Sequence, residues 1–210
     1  MPNLYKKILL PLICIFVAAQ AYAVTMEDIC TLLAAHENTA GDFTQIKTMA
    51  AAKRQLKSYG TFLICQEGIV WNTEKPFASV LAVKKDAVIQ QNASGAKTVI
   101  EASGNPMFSS IAESLASVFS NDTTELEKHF SVSFSEAGNG TWFSKLVPKD
   151  STISSVIESI DLSGSYTAEN ASISSMQVTE ASSGVITYIF ENQRYPKELS
   201  ADEKAYFSFK

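Results

Sequence analysis

The sequence contains few of the residues that carry enzyme chemistry. It has 2 histidines among 210 residues, His36 and His129, and both lie near predicted helix ends, where surface or capping roles suit them. The motifs HExxH, GxSxG and GxGxxG and the phosphate-binding P-loop are all missing, and the acidic residues are scattered. We therefore predict that the protein is not an enzyme and holds no cofactor and no metal.

Cysteine is also scarce, with 3 in the chain. Cys14 lies in an amino-terminal apolar segment, and Cys30 and Cys65 fit neither a zinc motif nor a CxxC motif. An even number of cysteines in an exported domain favours a disulfide between Cys30 and Cys65. The alternative is two buried free thiols, which pack as small hydrophobic groups.

Only the amino terminus carries a long apolar run. Lys6 and Lys7 precede the apolar residues 8–19, and Ala21-Tyr22-Ala23 forms an A-x-A cleavage signal. The run of about 12 residues is shorter than the roughly 20 residues that cross a bilayer. We predict a cleaved signal peptide over residues 1–23 and one domain over residues 24–210, with an uncleaved anchor as the alternative.

Basic residues are too few to form a positively charged stripe. Removal of Lys6 and Lys7 from the 17 basic residues leaves 15 against 22 acidic residues, a net charge of −7. An acidic domain is poorly suited to nucleic acid or to anionic membrane surfaces. We therefore expect no nucleic-acid partner.

Short strands with alternating apolar and polar residues dominate the chain from Phe43 onward. Gly68 supplies a hairpin turn and Pro76 ends a strand, because proline cannot donate to a central ladder. Strands are predicted over residues 43–49, 59–65, 69–73, 79–83, 87–91, 97–101, 131–134, 142–147, 157–162, 172–179 and 185–190. The pattern predicts an α+β fold with a large antiparallel sheet.

Two apolar helix stripes accompany this sheet. Thr25 is a predicted cap for a helix whose apolar face carries Met26, Ile29, Cys30 and Leu33. Asn105 and Pro106 begin a second helix over residues 107–119, and a short third helix starts at Asp122. The stripe of the second helix comprises Met107, Phe108, Ile111, Leu115, Val118 and Phe119. Composition alone leaves open whether these stripes close an ordinary core or cover a cavity.

The order of several short motifs resembles one known family. These motifs are Phe43-Thr-Gln45, Gly60-Thr-Phe62, Gly68-Ile-Val-Trp71, Pro76-Phe77, Leu146-Val-Pro-Lys149 and the final strand ending in Ile189-Phe190. Together with the signal peptide and the first helix, they resemble the LolA family, the periplasmic carriers of outer-membrane lipoproteins in Gram-negative bacteria. The resemblance covers nearly all of the chain after the signal peptide.

The resemblance implies an unclosed antiparallel β-barrel of about ten to eleven strands, with helices plugging its mouth. It further implies a monomeric periplasmic carrier that receives an acylated lipoprotein or lipid from an inner-membrane transporter and passes it to an outer-membrane receptor. Strand alternation and the helix stripe then place the acyl chains against ten side chains. These are Phe43, Phe62, Ile64, Gln66, Ile69, Trp71, Phe108, Ile111, Leu115 and Phe119.

One position departs from the family pattern. Well-studied members place an arginine at the end of the strand that begins at Gly60, and it holds the helical plug shut; here that position is Gln66. A neutral amide forms weaker hydrogen bonds than a guanidinium group. The cargo could therefore be a lipoprotein, or a glycolipid or aryl-polyene-type lipid. A scaffold protein with a filled core and a hydrolase without a recognisable motif are the remaining alternatives.

Overall fold

The computed structural model describes residues 23–49, 54–84, 86–101, 118 and 123–208. The helix predicted over residues 107–119 lies outside these residues except for Val118, which is helical. Four helices have described bounds. They are α1 (Met26–Ala34), α2 (Thr123–His129), α3 (Ser151–Ser154) and α4 (Ala201–Ala205).

Eleven strands form one antiparallel sheet. Their bounds are β1 (Asn38–Met49), β2 (Arg54–Cys65), β3 (Gly68–Lys75), β4 (Ser79–Val83), β5 (Ala87–Asn92), β6 (Lys97–Glu101), β7 (Phe130–Glu136), β8 (Thr141–Pro148), β9 (Ile157–Tyr166), β10 (Ala171–Glu180) and β11 (Gly184–Arg194). Their order is β6-β5-β4-β3-β2-β1-β11-β10-β9-β8-β7. Because β6 and β7 are the two edges, the sheet is an unclosed barrel, as predicted.

The first helix forms for local reasons. The Thr25 hydroxyl accepts a hydrogen bond from the Asp28 amide, and the Asp28 carboxylate accepts one from the Thr25 amide, so the predicted cap Thr25 forms a capping box with Asp28. The predicted apolar face, formed by Met26, Ile29, Cys30 and Leu33, is buried. This face packs the helix onto the sheet, where it contacts β10.

Glycines opposite aromatic residues let neighbouring strands approach closely. Gly164 on β9 pairs with Trp142 on β8, and a Cβ at Gly164 would lie 2.7 Å from the Trp142 indole nitrogen and 1.8 Å from the Ser172 carbonyl oxygen. Gly41 on β1 pairs with Phe62 on β2, and a Cβ there would lie 2.8 Å from the Phe62 ring. Aromatic rings laid over glycines of the neighbouring strand are a common device in curved sheets.

The sheet curls strongly around its apolar inner face. In a flat sheet, β3 and β9 would lie about 24 Å apart, because five strand intervals separate them. Trp71 of β3 and Leu162 of β9 nevertheless line the same cavity. The two halves of the sheet therefore face each other, and we call the enclosed side the concave face.

Apolar clusters cover parts of both faces of the sheet. On the concave face, Trp142, Phe130, Ile160 and Met176 form a core with α1. On the outer face, the segment after β11 crosses the first half of the sheet and buries Phe207. Phe207 packs in a second cluster with Ala40, Leu63, Val70, Ala82 and Ile89. Phe207 thus packs the end of the chain onto the outer face of the sheet.

The predicted Cys30–Cys65 disulfide is wrong for this structure, in which both residues are free thiols. Cys30, on the apolar face of α1, is fully buried in the concave cluster. Cys65 packs against the outer cluster that contains Phe207. Because successive residues of a strand point to opposite faces, Cys65 lies opposite to its neighbour Ile64, which lines the cavity. The sheet therefore separates the two sulfur atoms.

Candidate functional site

The concave face encloses an apolar cavity. Its described lining comprises Phe62 and Ile64 of β2, Ile69 and Trp71 of β3, Val118, Leu162 of β9, Ile173 and Met176 of β10, and Phe190 of β11. The side chains leave about 30 Å³ between them. A volume of this size is close to that of a single water molecule, whereas sites for small molecules hold about 300–1,000 Å³. The walls are therefore nearly in contact with one another.

A second space of about 20 Å³ extends the cavity toward α1. It shares Phe62, Ile64, Ile173 and Phe190 with the first space. Its other described walls are Leu33, Thr39, Ala171, Gln193 and Tyr195. The two spaces thus form one elongated apolar region that becomes polar at the Gln193 end.

Aromatic rings brace the wall formed by β11. Tyr188 stacks on Phe190 with ring centroids 6.3 Å apart, and its ring lies 6.1 Å from Trp71 and 6.0 Å from Phe43. Burial, with a smaller contribution from the Glu180 carboxylate, raises the pKa of the Tyr188 phenol to about 12. Tyr188 is therefore uncharged at neutral pH. Glu180 itself pairs with Lys47, whose Nζ lies 3.1 Å from the Glu180 Oε1.

Polar side chains close the far end of this region. The His36 ring stacks on Tyr195 at 3.6 Å, and its Nε2 lies 3.1 Å from the Asn170 Oδ1. Gln193 donates a hydrogen bond from its side-chain nitrogen to the Ile173 carbonyl oxygen at 2.6 Å. These contacts join α1, the β9–β10 turn and the end of β11. They hold the His36 ring between Tyr195 and Asn170.

The structure brings four of the ten predicted binding residues to the cavity: Phe62, Ile64, Ile69 and Trp71. Phe43 is buried on the concave face but packs against Tyr188. Gln66 does not line the cavity; it is exposed in the β2–β3 turn, because β2 ends at Cys65 and the strand alternation stops there. Phe108, Ile111, Leu115 and Phe119 lie outside the described residues.

The second half of the sheet supplies cavity residues that the sequence did not reveal. Leu162, Ile173, Met176 and Phe190 belong to strands that were predicted, and their alternation was visible. Their position opposite β2 and β3 depends on the curl of the whole sheet. Val118, which is 1% exposed, was predicted as part of a helix stripe, and it lines the same cavity.

The described residues offer no built centre for metal chemistry. Among them, no cluster of three or more His, Cys, Asp or Glu side chains has a geometry that could hold a metal ion. No described helix is both long enough and apolar enough to span a membrane. The chemical capacity of the cavity is the burial of an apolar ligand.

The described strands thus form an unclosed antiparallel barrel around an apolar cavity. A family model described as outer membrane lipoprotein carrier protein LolA matches residues 35–210. The chain therefore belongs to the LolA family, a family of carrier proteins, as its motifs predicted. A comparison with curated protein sequences found no match.

The chain is similar to several solved structures at low sequence identity. A DUF1329 family protein from Desulfovibrio piger has a TM-score of 0.50 and 10% identity, over 88% of this chain and 95% of that chain. A putative outer membrane lipoprotein-sorting protein domain from Vibrio parahaemolyticus has a TM-score of 0.47 and 12% identity, over 87% and 98%. A LolA superfamily protein from Nitrosomonas europaea has a TM-score of 0.46 and 10% identity, over 88% and 98%.

Proposed function

We propose that this chain is a periplasmic carrier that holds the acyl chains of a lipoprotein or lipid in the concave cavity. It receives this cargo from an inner-membrane transporter, shuttles it as a monomer and delivers it to an outer-membrane receptor. The observation that carries the proposal is an apolar cavity, walled by both halves of an open sheet, in a member of a lipoprotein carrier family. The role needs no catalytic step.

The cavity suits an acyl chain because of the chemistry of its walls. Every described residue that lines the larger space is apolar, and six of them come from strands on opposite sides of the curl: Phe62, Ile69 and Trp71 face Leu162, Ile173 and Met176. Each methylene buried there stabilises binding by about 0.8 kcal/mol. An alkyl chain can therefore bind without a specific polar contact.

Loading requires the walls to move apart. An acyl chain does not fit into about 30 Å³, so the walls must separate before one can bind. The sheet is open between β6 and β7, which leaves its curl free to widen without breaking a ladder of hydrogen bonds. The second predicted helix, residues 107–119, lies outside the described residues except Val118, and the family resemblance implies that helices plug the mouth of the barrel. We propose that this helix moves aside as the sheet widens.

Native mass spectrometry of protein purified from the periplasm tests this function. We expect a bound acylated molecule that is released at higher collision energy. The variant Ile64→Trp fills the cavity from its wall and should lose that ligand, while Ile46→Trp, the same substitution on the outer face of β1, should keep it. Thermal unfolding verifies that both variants fold. Absence of any ligand, or equal ligand on both variants, would contradict the carrier role.

A further inference from the structure

The cavity wall contains one polar hydrogen that nothing described satisfies. The indole nitrogen of Trp71 is buried, and it has no hydrogen-bond partner among the described residues. Buried polar groups are almost always hydrogen-bonded, so an orphaned donor at a cavity calls for a specific explanation. Trp71 is held in place by Phe62, its cross-strand partner on β2, and by the Tyr188 ring 6.1 Å away.

The described wall cannot provide a good acceptor for this donor. The other described lining residues are aliphatic or aromatic, apart from Met176, and a thioether sulfur is only a weak acceptor. A bare alkyl chain would leave the indole N–H without a partner as well. A ligand that carries its own oxygen acceptor would satisfy it.

We propose that Trp71 donates a hydrogen bond to the acyl carbonyl oxygen of the bound ligand, so that the cavity selects acyl esters and amides over plain hydrocarbon chains. This inference rests on the proposed carrier function and adds a specificity-determining residue to it. Esters and amides of acyl chains share one hydrogen-bond acceptor directly beside the alkyl tail, which is the carbonyl oxygen. The contact holds that oxygen beside Trp71 while the tail fills the apolar space.

The second tryptophan of the protein provides an internal control. Trp142 is also fully buried with an unpartnered indole nitrogen among the described residues, but it does not line the cavity. Its nitrogen lies against Gly164, where a Cβ would come within 2.7 Å. Ligand that enters the cavity should leave the Trp142 indole N–H unchanged.

Nuclear magnetic resonance of the chain without its predicted signal peptide tests the inference directly. Nitrogen-15 spectra would be recorded during titration with methyl decanoate and, separately, with dodecane, which lacks an acceptor. We expect a downfield shift of the Trp71 indole proton with the ester only, and no shift of the Trp142 indole proton with either. One net hydrogen bond corresponds to roughly a fivefold change in affinity, so removal of the donor should lower the ratio of methyl decanoate affinity to dodecane affinity by about that factor.

The variant Trp71→Phe keeps an aromatic wall and removes the donor. Its ratio of methyl decanoate affinity to dodecane affinity should fall roughly fivefold below the ratio of the parent, because the change in the apolar wall affects both ligands and the lost donor affects only the ester. An affinity ratio in Trp71→Phe equal to that of the parent, or an unmoved Trp71 indole proton in the loaded protein, would overturn the hydrogen bond and leave the carrier function standing. If neither ligand binds the parent, the carrier function fails and this inference fails with it.

Discussion

At the scale of single residues, burial on the concave face suppresses ionisation. Burial, aided by the Glu27 charge, raises the pKa of the Cys30 thiol from 9.0 to about 12, and the pKa of the Tyr188 phenol rises from 10.0 to about 12. In the unfolded chain both groups ionise at their ordinary pKa values. Their contribution to stability is therefore fully present below pH 9 and declines as the pH rises toward 12.

This linkage predicts the pH dependence of a cysteine variant. In Cys30→Ala, the free energy of unfolding should fall less steeply between pH 9 and pH 11 than in the parent, because the unfolded chain has lost one ionising thiol. Urea unfolding at a series of pH values measures both slopes. Cys65→Ala is the control. Because Cys65 is only half-buried, this variant should flatten the pH dependence of the free energy of unfolding less than Cys30→Ala does. Identical slopes in the parent and Cys30→Ala would refute the linkage.

At the scale of elements, close contact between β8, β9 and β10 depends on Gly164. The variant Gly164→Ala should lose about 1–3 kcal/mol of stability or more, because its Cβ meets the Ser172 carbonyl oxygen of β10 and the Trp142 indole of β8. Chemical denaturation measures the loss. Gly184→Ala is the matched control, because its Cβ would meet only the flexible Glu180 carboxylate. An equal effect at both glycines would contradict this account of the contact.

A second prediction concerns the element that carries Val118. Val118→Ala should reduce stability by about 1–3 kcal/mol, because a buried side chain is truncated at the cavity. The variant should nevertheless bind acyl ligand more tightly, since the closed form is destabilised and a larger fraction is open. Calorimetric titration measures the affinity. Val132 packs on the concave cluster but lies outside the cavity, so the control variant Val132→Ala should lose stability without gaining affinity. Weaker binding by Val118→Ala would exclude this coupling.

Some helices and turns could be predicted from the sequence, whereas the wall formed by distant strands could not. The capping box at Thr25 and the turn at Gly68 act over a few residues, so α1 and the β2–β3 hairpin could be predicted. The position of the β9–β11 wall could not be predicted, because Met176 and Trp71 line the same cavity only after the sheet curls. Strand alternation, in contrast, argues against the predicted disulfide. It places Cys65 on the face opposite to Ile64, and therefore away from Cys30 on the concave side.

At the scale of the whole molecule, the open sheet converts strand alternation into a binding cavity. Strand alternation alone would give a sheet with two apolar faces. The segment after β11, which buries Phe207, covers part of the outer face. The curl brings β3 toward β9 and encloses the cavity between them. This cavity is the feature that distinguishes a carrier from a sheet with a filled core. We therefore expect the volume that this curl encloses to increase when a ligand binds.

Chain-length dependence is the prediction at this scale. Affinity should rise about fourfold for each added methylene, which corresponds to about 0.8 kcal/mol per group, until the cavity is full. Displacement of a fluorescent fatty-acid analogue by octanoate, decanoate, dodecanoate and longer homologues measures this series. Tyr188 stays neutral well above physiological pH, so the dependence should be the same at pH 7 and pH 8. A flat series would indicate surface binding rather than burial.

The central claim is that acyl chains enter the concave cavity and contact Trp71. Fluorescence quenching by a brominated fatty acid tests it most directly, because bromine quenches tryptophan only at contact range. We predict saturable quenching that reaches one ligand per chain in the parent and disappears in Trp71→Phe, whose remaining tryptophan, Trp142, lies outside the cavity. Quenching that does not saturate, or that persists unchanged in Trp71→Phe, would contradict the claim.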